Sequence, residues 1–101
     1  MRKDFFVYDA RLKLNLPHPT TEWNVYSSSE QETILLEWEK IRGKIPDRIG
    51  ELDKEIEVLQ NELGVEEDFE ISCKINDEIA SKASRINDLW IWYRTNPAKS
   101  S

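Results

Sequence analysis

A chain of 101 residues with 39% hydrophobic and 34% charged side chains fits one domain whose core is small for its surface. Its formal net charge of −6 comes from residues 30–70, where 14 acidic groups outnumber 5 basic ones; that sign repels nucleic acid and anionic lipid and attracts a basic protein. Four Trp, three Tyr and three Phe exclude wholesale disorder, and a single cysteine, Cys73, excludes an internal disulfide, so a reducing, cytoplasmic setting is expected.

Residues 1–28 read as an aromatic N-terminal arm. The run Phe5 to Tyr8 is too short for a signal peptide. From Asp9 to Leu16 the chain alternates, with Ala10, Leu12, Leu14 and Leu16 on one face, a half-buried strand pattern. Pro17 to Thr21 breaks it. The arm is expected to lie extended along the helices, or to fold into a short β-hairpin, which is marginal without packing.

The helical domain spans residues 29–96. Ser29 and Glu32 form a capping-box pattern that opens a first helix over 29–43, with Ile34, Leu35, Trp38 and Ile41 inward. Gly43 and Pro46 end it, because Pro46 has no N–H to donate and crowds the preceding turn. Pro46 also suits the first turn of a second helix over 46–63, for which Gly64 reads as a left-handed cap. A third helix is expected over 67–95, its acidic start favoured by the helix dipole. Residues 69–75 alternate enough to suggest a strand, but no partner strand is offered. Asn96-Pro97 stops the helix, and 97–101 reads as a flexible tail.

One apolar register joins the last two helices. Ile45, Ile49, Leu52, Ile56, Leu59 and Leu63 are spaced 4, 3, 4, 3, 4, and Ile75, Ile79, Ala83, Ile86, Trp90 and Tyr93 return with similar spacing. With the chain reversed at Gly64–Val65, Ile56 meets Ile75, Leu52 meets Ile79, Ile45 meets Ile86 and Trp38 meets Tyr93. The fold class is therefore mainly α: an antiparallel helical hairpin or three-helix bundle, coiled-coil-like, with an extended or short β N-terminal arm.

No catalytic residue, cofactor or metal is implied. His18 sits between prolines in a loop, far in sequence from any acid/base partner. Cys73 lacks a Cys-x-x-Cys neighbour and is expected to be at least half-buried. A di-iron bundle needs inward Glu-x-x-His pairs, and no histidine follows His18. Arg42-Gly43-Lys44 lacks the strand–loop–helix context of a phosphate site.

What remains are surfaces. Ile91 and Trp92 fall outside the register and are expected to form an exposed patch unless the arm covers them. Phe5, Phe6, Tyr8 and Trp23 are available for that cover. Leu12 and Leu14 lie on a strand that can pair with a second copy. Glu51, Glu55 and Glu62 are expected to form an acidic face with no apolar side chain between them, and Lys74 to approach Glu57. The expected function is a small non-enzymatic protein-interaction or regulatory module that forms a homodimer, with an unidentified protein partner. It should not bind nucleic acid or membrane directly. The alternative is an acidic inhibitor or nucleic-acid mimic occupying a basic site on its target.

Overall fold

The computed structural model describes residues 5–17 and 22–97. His18 and residues 98–101 of the expected tail lie outside the described residues. The protein is mainly helical, with strands β1 (Phe6–Asp9) and β2 (Leu14–Pro17) followed by helices α1 (Ser28–Arg42), α2 (Ile45–Val65) and α3 (Phe69–Tyr93). The contacts divide it into two units. One holds the residues up to Lys44 and from Trp92 onward, the other Ile45–Ile91.

In the first unit the arm is a β-hairpin, with Val7 opposite Leu16 and Asp9 opposite Leu14. The expected strand begins too early, because Asp9 reverses the chain. Its carboxylate accepts from the Leu12 N–H at 2.9 Å and its carbonyl from the Lys13 N–H at 2.7 Å, while Lys13 takes a left-handed φ of 59°. Short acidic side chains favour such local bonds over continued strand. Ala10 is consequently exposed in the turn, whereas Leu12, Leu14 and Leu16 remain buried. The strand β2 packs against α1.

The cap of helix α1 lies two residues before the expected one. Ser27 and Glu30 form the capping box, the Ser27 hydroxyl accepting from the Glu30 N–H at 3.1 Å and the Glu30 carboxylate from the Ser27 N–H at 2.9 Å. Ser27-x-x-Glu30 and Ser29-x-x-Glu32 are equally good boxes. The earlier start places the Gln31 amide where it donates to the Trp23 and Tyr26 carbonyls, at 3.1 and 3.3 Å, tying the helix to the 3-10 turn Trp23–Val25. Ile34 and Trp38 are buried, and Leu35 and Ile41 half-buried. The helix ends in a tight turn in which the Gly43 N–H donates to the Glu39 carbonyl and the Lys44 N–H to that of Ile41, each at 3.0 Å.

The second unit is an antiparallel helical hairpin. Gly64 is not a left-handed cap: among the described residues no glycine has positive φ, and α2 runs on through Val65. The reversal falls at Glu66–Asp68. There the Asp68 carboxylate accepts from the Ile71 N–H at 3.1 Å, and its carbonyl from the Ser72 N–H at 2.9 Å, so Asp68 caps α3. With that cap, residues 69–75 are helix.

Burial in the hairpin is uneven along its length. Ile45, Ile49 and Leu52 are buried on α2, and Ile75 and Leu89 on α3, while Ile56, Leu59, Leu63, Ile79 and Ile86 are half-buried. The inward stripe of α3 runs through Ile75, Ile79, Lys82, Ile86 and Leu89, not through Ala83 and Trp90. Lys82 occupies the seam with its aliphatic stem and reaches Glu55 with its ammonium, 3.4 Å away. Trp90, expected inward, is 43% exposed.

The register also differs. Glu55, Val58, Leu59, Glu78 and Lys82 line one shallow depression, so Glu55 lies near Lys82 and Leu59 near Glu78. The sequence register puts Glu55 opposite Asn76 and Leu59 opposite Ser72. A reversal centred on Glu67 pairs residue i with about residue 134 − i and so moves each partner by about three residues, one step of a stripe spaced three and four. Apolar spacing alone does not distinguish such registers.

Candidate interaction surface

The surface residues expected from sequence fare differently. Leu12 and Leu14, 2% and 8% exposed, belong to the core of the first unit. Trp92 is half-buried, edge-on to Trp38 with ring centroids 5.9 Å apart. Ile91 is 49% exposed and stands beside exposed Trp90 on α3. The aromatic residues of the arm collect on a residue that sequence reasoning missed, Tyr26. Phe5 meets its ring at 5.4 Å and Trp23 at 6.3 Å, both edge-on, while Tyr8 stays exposed.

Around Trp38 there is a cleft of about 460 Å³ lined by Leu35, Trp38, Glu39, Arg42, Arg94, Thr95 and Asn96. Several of its polar groups hold the chain together. The Trp38 indole N–H donates to the Thr95 carbonyl at 3.0 Å, and the Arg42 guanidinium to the Tyr93 carbonyl at 3.2 Å. Arg42 also pairs with Glu39 at 3.4 Å and lies over the Tyr93 ring, 5.1 Å from its centroid. This arrangement fixes the end of α3 against α1. Pro97, expected in a frayed tail, is buried.

On α2 the expected acidic face is present but not purely acidic. Glu51 pairs with Arg48 at 3.0 Å and Glu55 with Lys82, whereas Glu62 is exposed. Positions 51, 55, 58, 62 and 65 form one helical stripe, so Val58 and Val65, 56% and 82% exposed, alternate with these carboxylates. Lys82 pairs with Glu55 across the helices, whereas the expected approach of Lys74 to Glu57 gives no ion pair among the described residues. Beyond Val65 stands Phe69, 80% exposed at the first position of α3. Cys73, expected to be at least half-buried, is exposed one helical turn further on.

The apex of the hairpin is thus apolar side chains framed by acids. Residues 55–73 carry seven carboxylates (Glu55, Glu57, Glu62, Glu66, Glu67, Asp68 and Glu70) and no Lys or Arg. Two of them are held by the turn: Glu66 accepts from the Asp68 N–H at 3.0 Å, and Asp68 from the Ile71 N–H. A signal for Phe69 did exist in the sequence. It is an aromatic residue on neither apolar stripe, set among Glu66, Glu67, Asp68 and Glu70.

Among the described residues no group of three or more His, Cys, Asp or Glu side chains is placed to hold a metal ion. No helix among them is long and apolar enough to cross a membrane. No protein-family model matches this chain, and no curated protein or solved structure shows significant similarity to it.

Proposed function

We propose that this chain is a non-enzymatic interaction module that binds a protein partner through the tip of its α2–α3 hairpin. The observation that carries the reading is the exposure of Val65 and Phe69, 82% and 80%, the highest among the large apolar side chains described. Covering such a side chain contributes about 1.5–3 kcal/mol, and a phenyl ring is a frequent anchor of protein interfaces. Both residues sit where helices meet a capped turn, so little order has to be gained on binding. Self-association belongs to the same reading, with exposed Trp90 and Ile91 as a second apolar surface on α3. The exposed thiol of Cys73 suits the cytoplasm, where it stays reduced.

The test is affinity capture from the source cells, comparing the wild type with Phe69→Ser and with Trp90→Ser. Phe69→Ser should lose specific partners that Trp90→Ser retains; equal capture by all three sinks the tip as the contact. Light scattering on the purified chain decides self-association, which a monomer at high micromolar concentration would rule out. The acidic-mimic reading is favoured by the seven carboxylates of residues 55–73, of which Glu55 is paired with Lys82. It predicts partners that are released as salt rises, with little dependence on Phe69.

A further inference from the structure

We infer that the segment covering the tip is a cationic, apolar-faced helix of another protein; this rests on the proposed role of the tip as the binding surface. Residues 55–73 carry a net −7 where the whole chain carries −6, so the other 82 residues sum to +1. The acidity of this protein is therefore the acidity of one end of its hairpin.

Covering Val65 and Phe69 brings the covering surface against Glu66, Glu67 and Glu70. An uncharged apolar surface would strip water from these carboxylates and return no hydrogen bonds. A second copy docking tip to tip would set like charges against each other, and anionic lipid or nucleic acid would be repelled in the same way. A segment bearing Lys or Arg on both sides of an apolar stripe satisfies both features at once. The target is ordered in advance, since Glu66 and Asp68 are bonded within the turn and Val58 and Val65 sit on a continuous helix. Val58 and Val65 are seven residues apart, about 10 Å along α2, so roughly three turns of a partner helix reach from Val58 past Phe69.

The probes are three labelled peptides of about eighteen residues, five helical turns. One has Leu on one face and Lys on its flanks, one replaces Lys by Glu, and one replaces Leu by Ser. Fluorescence anisotropy with the full chain should show the Leu/Lys peptide binding at least about tenfold more tightly than either control. Raising the salt should weaken it. Phe69→Ser should weaken it by about tenfold. The triple substitution Glu66→Gln, Glu67→Gln, Glu70→Gln, which keeps the Asp68 cap, should weaken binding and flatten its salt dependence. Circular dichroism confirms that each variant is still helical.

Equal binding of the Leu/Glu peptide, or no effect of Phe69→Ser on the Leu/Lys peptide, overturns the inference. So does a dimer of the chain alone that Phe69→Ser dissolves, because the occupant is then a second copy. If Phe69→Ser loses its cellular partners while the Leu/Lys peptide is ignored, the tip remains the contact and the charge class is wrong. If neither experiment responds to Phe69→Ser, the tip is not a contact at all.

Discussion

The unit around α1 and the helical hairpin are held in different ways. Around α1, singular groups act: an indole N–H on one carbonyl, a guanidinium on another, a capping box, and an amide that ties a turn to a helix. Each needs one geometry, and a shifted partner would leave it unsatisfied. In the hairpin a periodic stripe acts, and many of its members are half-buried. Periodic contacts stabilise several alignments almost equally, so the turn and its cap must choose among them. Directional bonds define the first unit; a reversal at Glu66–Asp68 defines the second.

Substituting Trp38 is the strongest way to break that contrast. Trp38→Ala should cost about 3–5 kcal/mol, because a 2%-exposed side chain is lost together with its bond to Thr95. Leu59→Ala, at a half-buried stripe position, should cost only ~1 kcal/mol. Urea denaturation measures both, and equal losses would mean that the two units do not differ in this way.

A smaller effect, opposite in sign, tests the correction at Gly64. A Cβ added there meets no heavy atom within 4 Å, and the residue is helical. Gly64→Ala should therefore stabilise the chain by about 0.5–1 kcal/mol. A left-handed cap would instead make the same substitution destabilising.

The smallest effect sharpens the register. A double-mutant cycle of Glu55→Gln with Lys82→Met should give a coupling of about 0.5 kcal/mol, the range of partly exposed ion pairs. The same cycle with Asn76→Ala in place of Lys82→Met should give none. Coupling to Asn76 and not to Lys82 would restore the register read from apolar spacing.

The elements themselves were legible because their signals are local. Spacing of three and four marks the helices, and Pro46 with Gly43 marks the break. Acidic residues after Gly64 mark the start of α3. Ambiguity entered wherever the sequence offers two equivalent signals. Ser27 and Ser29 each have a Glu three residues later, and only the reach of Gln31 separates them. In the run from Leu89 to Tyr93 every side chain is apolar or aromatic, so nothing polar shows which face is inward. The acceptors of Trp38 and Arg42 are backbone carbonyls, which carry no side-chain signature. Of the candidate surface, the carboxylates were visible, but Phe69 was not singled out, since an aromatic residue is ordinarily assigned to a core.

The bond between Trp38 and Thr95 joins residues 57 positions apart. In the unfolded chain the indole is thus far from its acceptor, and α1 lacks one of its anchors until the two ends meet. The intervening hairpin, whose contacts are between neighbours along a simple reversal, is free to close meanwhile. Its closure shortens the loop that must then be joined and so lowers the entropic cost of the final step. The contact between Trp38 and Thr95 is therefore expected to form after the hairpin has closed.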